Sequence, residues 1–334
     1  MKIAFYDTHK FERPIFDHVN KHHQFEIEYI ESRLTSSTAV LASECEVVCS
    51  FVNDKIDESC LEQLKEQGVR LIVLRSAGFN HVDISAANRL GIQVGRVPGY
   101  SPNAVAEYTV GLILCLNRKI HKSYHRVREL NFTLDGLVGF DLKGKVVGVI
   151  GTGKIGKLVA EILAAFGCEI LCFDQFPNTE LEKHSRIRYA EFNEICAHAD
   201  IVSLHIPLTP DTYHLLNKDY FSRMKPGAYI INTGRGALID SAALSDALKN
   251  GHVGGAALDV YEEEEAVFFQ DVSDQVLQDD VLARLLTFPN VLISSHQAFL
   301  TKEALENIAE TTLSNVDEFV KTGQVPVERR VSSV

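Results

Sequence analysis

Short runs of apolar and β-branched residues alternate along this chain with longer stretches in which apolar positions recur at helical spacing. The runs Glu46-Val47-Val48-Cys49, Leu71-Ile72-Val73-Leu74, Val146-Val147-Gly148-Val149-Ile150, Ile201-Val202-Ser203-Leu204 and Tyr229-Ile230-Ile231 read as strands, and the intervening stretches read as amphipathic helices. Strand and helix in alternation predict parallel sheets covered by helices, an α/β protein. Ser101-Pro102 opens a long helical stretch to about Arg128, with serine suited to the N-cap and proline to the first helical position. Thr301 can cap a final amphipathic helix that runs to about Lys321. No tandem repeat, low-complexity segment or Pro-rich linker marks a boundary, so domain limits must come from the positions of motifs.

One such motif is Gly151-Thr152-Gly153-Lys154-Ile155-Gly156, directly after the strand Val146 to Ile150 and directly before an apolar-periodic helix, Lys157 to Phe166. Gly151 permits the tight turn, Gly153 lets backbone approach a pyrophosphate, and Gly156 lets helix and strand pack closely. Amides at the helix N-terminus then face the phosphates. The next strand, Glu169 to Phe173, ends at Asp174, where a carboxylate bonds the adenine-ribose hydroxyls and repels a 2′-phosphate. NAD is therefore expected over NADP. A dinucleotide unit that begins in mid-chain implies a separate α/β domain before it, formed by the strand and helix series of the first hundred residues.

Composition narrows the function. A length of 334 residues suits two domains, and 46% hydrophobic against 23% charged residues suits a folded protein with a large core. The net charge of -12 disfavours non-specific binding to nucleic acid or anionic membranes and makes a small-molecule partner the better expectation. No apolar stretch approaches the roughly 18 to 20 residues of a membrane span, and Met1 to Asp7 reads as a strand, not a signal peptide. A cytoplasmic protein is expected. The seven cysteines, Cys45, Cys49, Cys60, Cys115, Cys168, Cys172 and Cys196, lie mostly in apolar runs without C-x-x-C spacing and read as buried free thiols. No metal site is expected.

Three residues after the glycine loop carry candidate chemistry: Arg235 in Asn232-Thr233-Gly234-Arg235-Gly236, Glu264 in the run Glu262-Glu263-Glu264-Glu265, and His296 in Ser294-Ser295-His296-Gln297. A guanidinium can hold a carboxylate bidentately, an imidazole can exchange a hydroxyl proton, and a carboxylate beside the imidazole can keep it charged. Arg235 and His296 follow strands, where ligands sit in α/β sheets. Glu264 is the weakest of the three from residues alone, because a run of charges usually forms a solvated face.

These segments, with Leu204-His205-Ile206-Pro207-Leu208-Thr209 and Ala257-Leu258-Asp259-Val260-Tyr261-Glu262, resemble the D-isomer-specific 2-hydroxyacid dehydrogenases over essentially the whole chain. Within that family, Leu74 to Asp83, Arg96 to Pro102 and His296 to Thr301 are similar to the fermentative D-lactate dehydrogenases. The resemblance implies two doubly wound parallel-sheet domains with a cleft between them. A flavodoxin-like substrate domain would comprise residues 1–100 and 300–334, and a Rossmann NAD domain residues 101–299. Arg235 would bind the substrate carboxylate and carbonyl, His296 would donate the proton in reduction, and Glu264 would bond the histidine. Cofactor contacts would come from Gly151, Gly153, Ile155, Gly156, Asp174, Ile206, Pro207, Thr212, Thr233, Gly234, Arg235 and Asp259, the last beside the nicotinamide carboxamide. Gly234 stands where serine is common, a departure that should leave backbone contacts intact. His205 is expected to support the adenine side structurally. Ala77 and Gly78 would offer backbone N–H groups to the substrate carboxylate, and Tyr100, Phe51 and Phe299 would shape a pocket for a small side chain, although aromatics are also ordinary core residues.

The activity implied is reversible hydride transfer between NADH and pyruvate giving D-lactate, in a homodimer or homotetramer. A larger 2-keto acid such as phenylpyruvate, 2-ketoisocaproate or hydroxypyruvate stays open as the substrate. From another class, the C-terminal binding protein corepressors use a similar fold as an NADH-sensing binding module, and formate dehydrogenases carry a similar site with glutamine in place of the glutamate.

Overall fold

A computed structural model describes residues 1–332; the last two residues of the expected 300–334 segment lie outside the described residues. The chain divides into two compact units, Met1–Ser101 with Leu300–Val334, and Pro102–Phe299. The helix Lys302–Thr322, which the sequence pattern left unassigned to either side, is capped by Thr301 and packs on the helix Arg13–His23 of the first unit.

In the first unit β1 (Lys2–Phe5), β2 (Glu26–Tyr29), β3 (Val47–Ser50), β4 (Leu71–Leu74) and β5 (Gln93–Gly95) pair in parallel in the order β5-β4-β3-β1-β2. A two-residue strand, Arg330–Val331, adds antiparallel to the outer edge of β5. β3 and β4 are buried at every position, which is why they read as unbroken apolar runs. Arg75 follows β4 and turns inward. Its Nε and Nη2 donate to the two carboxylate oxygens of Glu12, each at 3.0 Å, and its Nη1 and Nη2 donate to the carbonyls of Tyr6 and Asp7. The guanidinium also stacks 4.0 Å from the Phe5 ring centroid. One fully buried cation thus joins the ends of β1 and β4 to the start of the helix Arg13–His23.

The second unit holds β6 (Val146–Ile150), β7 (Glu169–Phe173), β8 (Ile187–Tyr189), β9 (Ile201–Leu204), β10 (Ala228–Asn232), β11 (Val253–Leu258) and β12 (Val291–Ile293), all parallel, in the order β12-β11-β10-β9-β6-β7-β8. Both faces of this sheet are covered. Val147 and Val149 pack with Val110 and Ile113 of the helix Pro102–Arg118 and with Val159 and Leu163 of the helix Lys154–Ala165. Ile150, Val202 and Ile230 join Ile195, Phe221 and Leu244 from helices on the opposite face. The strand order reverses between β6 and β9, which places the ligand crevice of a doubly wound sheet at their C-terminal ends.

Two elements differ from the sequence reading. The stretch from Ser101 to Arg128 is two helices, Pro102–Arg118 and Ile120–Arg128, separated by Lys119 at φ 51°. The break is held by chain from further along: Asn117 bonds the Phe140 backbone through both ends of its amide, and Lys119 Nζ donates to the Val138 carbonyl. The helix after the glycine loop begins at Lys154, three residues earlier than its apolar periodicity indicates, because Gly153 serves as its N-cap. All seven cysteines are free, and Cys115 alone among them is only half-buried. Burial pushes the Cys49, Cys60 and Cys172 thiols up to about 12, so they are inert packing groups. Among the described residues no helix is long and apolar enough to cross a membrane.

Replacing Arg75 by methionine strands the buried Glu12 carboxylate and is expected to lower the unfolding free energy by about 3–5 kcal/mol. Urea denaturation followed by circular dichroism measures the loss, and a change under about 1 kcal/mol would show that the pair contributes no more than a surface ion pair.

Candidate active site

At the end of β6 the chain turns through Gly151, whose φ is +94°. A Cβ on Gly151 would lie 2.5 Å from the His205 carbonyl oxygen, and one on Gly156 only 1.8 Å from the Gly151 carbonyl oxygen, so strand, turn and helix pack at this distance only with glycine. Gly153 is different. A Cβ there would meet no protein atom within 4 Å, and the open space lies over the N-terminus of the helix Lys154–Ala165, where partial positive charge favours phosphate. Ile155 stands half-buried in the first turn of that helix.

Asp174 follows β7. Its Oδ2 accepts the Thr152 N–H at 2.6 Å and the Thr152 hydroxyl at 3.0 Å, while Oδ1 accepts the Phe176 N–H at 2.9 Å. Partial burial opposes ionisation, yet the donors at Phe176 and Thr152 outweigh it and hold Asp174 below the usual carboxylate range. A charged carboxylate at this strand end suits the adenine-ribose diol of NAD. The Tyr189 hydroxyl lies 2.8 Å from Thr152 Oγ1 and accepts the Asn178 N–H at 2.7 Å, extending the network beyond the residues picked out by sequence. Tyr189 is one aromatic on a three-residue strand, and nothing in its sequence context singles it out.

The chain leaving β9 forms the turn that contains Ile206 and Pro207. Thr212 closes it, donating its hydroxyl to the Pro207 carbonyl at 2.8 Å and accepting the Thr209 N–H at 2.8 Å. His205 pairs its Nε2 with Ser203 Oγ at 2.8 Å, and burial pushes the imidazole down to about 4, so it is a neutral supporting group. Thr233 is buried with its hydroxyl 2.9 Å from that of Thr109. At Gly234 a Cβ would make only ordinary contacts, the nearest at 3.5 Å, so this glycine is not a steric requirement.

Three adjacent strands deliver the candidate catalytic groups. After β10, the buried Asn232 shapes the Arg235 loop, accepting the Gly234 N–H at 3.0 Å and donating to the Arg235 carbonyl at 2.9 Å. Arg235 is half-buried, with Nη1 donating to the Gly234 carbonyl at 2.7 Å. Gly236 then presses against the next strand's extension, since a Cβ on it would fall 2.0 Å from the Tyr261 carbonyl carbon. After β11, Glu264 accepts the Tyr261 N–H at 3.0 Å through Oε2 and the His296 Nδ1–H at 2.7 Å through Oε1. His296 follows β12 at φ 51°, a left-handed conformation unusual for a residue with a side chain. Its N–H donates to the Asp259 carbonyl at 2.7 Å. With Nδ1 engaged by Glu264, Nε2 is the ring nitrogen left to act on a substrate.

Asp259, expected beside the nicotinamide carboxamide, is fully buried. Its carboxylate accepts the Ser294 hydroxyl at 2.7 Å and the N–H groups of Gln297 and Ala298 at 2.9 and 2.8 Å. The structure therefore gives it a role in fixing the His296 loop, which sequence reasoning had not assigned. In the first unit, the carbonyls of the loop after β4 are held by Arg96 at Ala77 and by the Ser76 hydroxyl at Gly78. Asn307 of the helix Lys302–Thr322 donates to the Tyr100 carbonyl at 2.7 Å. Phe51 is buried, 4.9 Å from the Arg75 guanidinium and 5.1 Å from the His9 ring, which makes its ring part of the packing. Phe299 is half-buried at the end of the second unit.

A family profile, that of the NAD-binding domain of the D-isomer-specific 2-hydroxyacid dehydrogenases, matches residues 110–298. The chain belongs to that family. This dehydrogenase is 53% identical over 327 residues to 2-hydroxyacid dehydrogenase homolog 1 of Schizosaccharomyces pombe, covering 98% of each chain. It is 48% identical over 328 residues to the D-lactate dehydrogenase of Escherichia coli, covering 98% of this chain and 99% of that one, and superposes on the apo-structure of the Escherichia coli enzyme with a TM-score of 0.90. A D-lactate dehydrogenase from Aquifex aeolicus complexed with NAD and lactic acid is 33% identical, with a TM-score of 0.84 over 96% of this chain and 95% of that one. The dehydrogenase uses NAD, and the donor set at Gly151 to Gly156 and Asp174 fits it. Identity over nearly the whole chain to a D-lactate dehydrogenase favours an enzyme over the corepressor-like reading, and a glutamate carboxylate on His296 separates the site from that of a formate dehydrogenase.

Asp174→Ala is expected to lower the preference for NADH over NADPH by about tenfold or more, since it deletes charge-assisted hydrogen bonds to the ribose and the repulsion of a 2′-phosphate. The ratio of kcat/KM for the two cofactors reads the effect, and an unchanged ratio would remove Asp174 from cofactor selection.

Proposed function

We propose that this dehydrogenase interconverts pyruvate and D-lactate, with Arg235, Glu264 and His296 as the groups acting on the substrate. The observation that carries the reading is the 2.7 Å bond from His296 Nδ1 to Glu264, which fixes the ring tautomer and aims Nε2 outward as a proton donor. NADH, when bound, supplies the hydride that reaches the carbonyl carbon. Arg235 binds the carboxylate of the 2-keto acid and polarises its carbonyl oxygen. His296 gives that oxygen a proton from Nε2, so that pyruvate, a hydride and a proton yield D-lactate, and in the reverse direction the same nitrogen takes the hydroxyl proton. Glu264 orients the imidazole through its bond to Nδ1. We assign the first unit to the substrate side, with the N–H groups of Ala77 and Gly78 on the carboxylate and Tyr100 and Phe299 limiting the side chain to a small group. The sequence identity to D-lactate dehydrogenases supports pyruvate over larger 2-keto acids. A cytoplasmic location fits the seven free thiols.

We also propose that two copies pair through the segment after the helix break. Leu130, Phe132, Leu134 and Val138 are between 68% and 83% exposed there, more apolar surface than a solvated arm keeps without a partner. Residues 118–128 carry Arg118, Lys119, Lys122, Arg126 and Arg128, whereas residues 262–280 carry eight acids and no base, so a second copy offers the charge complement.

Glu264→Gln should lower kcat for pyruvate reduction by about ten- to a hundredfold, and His296→Gln by about a hundredfold or more. Steady-state kcat and KM with pyruvate, phenylpyruvate, 2-ketoisocaproate and hydroxypyruvate test both points; an unchanged kcat in Glu264→Gln removes the role of Glu264, and a larger keto acid turned over faster than pyruvate replaces the substrate. For the pairing, Leu134→Asp with Val138→Asp should convert a dimeric mass to a monomeric one in light scattering, and an unchanged mass would place the interface elsewhere.

A further inference from the structure

The acidic run that contains Glu264 alternates in exposure. Glu263 and Glu265 face solvent, whereas Glu262 and Glu264 are half-buried. Glu264 takes His296, and Glu262 takes a histidine of its own: His214 Nε2 donates to Glu262 Oε1. The other Glu262 oxygen accepts the Ser241 N–H at 3.3 Å, at the start of the helix Ser241–Lys249. His214, like His296, holds a left-handed backbone, at φ 50°, and its ring stacks on Tyr213 with centroids 3.9 Å apart. Non-glycine residues stay in such conformations only where surrounding contacts over-determine them. Here the His214 N–H donates to the Ala237 carbonyl at 2.9 Å, the Leu216 N–H to the Leu238 carbonyl at 3.0 Å, and the Asp240 N–H back to the Leu216 carbonyl at 3.0 Å.

Each partner of this second pair sits on a different part of the site. His214 ends the loop that begins with Ile206 and Pro207 and is closed by Thr212. Glu262 lies in the backbone against which Gly236 packs directly, its own nitrogen 2.4 Å from where a Gly236 Cβ would be, one residue beyond Tyr261, whose N–H holds Glu264. Loss of the His214–Glu262 bond would loosen the cofactor loop from the two segments that carry Arg235 and Glu264 into place.

We propose that His214 and Glu262 form a positioning brace that, beyond those backbone bonds, couples the cofactor loop to the Arg235 and Glu264 turns, so that NADH binding and the geometry of proton transfer share one side-chain hydrogen bond. The brace rests on the assignment of Arg235, Glu264 and His296 as the reacting groups. It makes His214 a residue that touches neither substrate nor hydride and still governs both cofactor affinity and turnover.

The test compares His214→Phe, which keeps a ring to stack on Tyr213 and loses the donor, with His214→Gln, which keeps a donor, and with Glu263→Gln as an exposed control. NADH binding is followed by fluorescence titration without substrate, then kcat and KM for pyruvate and the thermal midpoint are measured. His214→Phe should weaken NADH binding and lower kcat, each by about tenfold, the worth of one hydrogen bond to a charged group, with KM for pyruvate and the thermal midpoint little changed. His214→Gln should recover most of both losses, and Glu263→Gln should match the parent. An unchanged NADH affinity in His214→Phe overturns the brace, as does a fall in thermal midpoint that His214→Gln shares without recovering affinity. Because the titration needs no turnover, a protein that reduces no 2-keto acid would defeat the proposed activity while the NADH arm still decides the brace.

Discussion

Asp259, just after β11, holds a carboxylate removed from water, and its two oxygens are occupied by Ser294, Gln297 and Ala298 on the loop after β12. An uncompensated charge in that position would be strongly unfavourable, so the loop must present these three donors in one arrangement. His296 lies inside the loop, and the same constraint holds its backbone left-handed, a state that costs about 1–3 kcal/mol in isolation. The imidazole is thereby directed at Glu264, itself anchored to the Tyr261 N–H three residues back. The ring nitrogen that Glu264 engages is thus set by a carboxylate that belongs to a neighbouring strand end.

The sheet order does the remaining positioning. β10, β11 and β12 are neighbours, and parallel strands end on the same side, so Arg235, Glu264 and His296 leave the sheet at one edge although they span more than sixty residues of sequence. The glycine turn leaves the same side at β6, where the strand order reverses and the crevice opens. Close backbone contacts at Gly156 and Gly236 keep the two regions compact without side chains between them. Acidic composition, which disfavours nucleic acid as a partner class, has a local exception in the basic helix after Lys119.

Much of this was legible in the chain. The glycine loop between a strand and a helix, Asp174 at the next strand end, and the arginine and histidine in strand-end loops each follow from local rules that a few consecutive residues satisfy. Glu264 was legible only through resemblance, because four consecutive glutamates present the same local chemistry and only the fold decides which of them turn inward. The break at Lys119 was hidden because its cause lies about twenty residues away, at Val138 and Phe140. Tyr189, the Glu262–His214 pair and the inward turn of Arg75 were missed for the same reason: each is defined by partners distant in sequence, and a lone tyrosine, histidine or arginine carries no local mark of them.

By itself the sequence determined the class of fold, the place of the dinucleotide loop and two of the groups proposed to react, Arg235 and His296, since periodicity, glycine stereochemistry and ionisable side chains at strand ends are local properties. The tertiary structure decided which carboxylates leave water, wholly or in part, and whom they serve: Asp259 with the His296 loop, Glu264 with the imidazole, Glu262 with His214 and Glu12 with Arg75. The reason is physical. A carboxylate in water needs no partner, and only the packing that removes it from water makes its choice of donor obligatory.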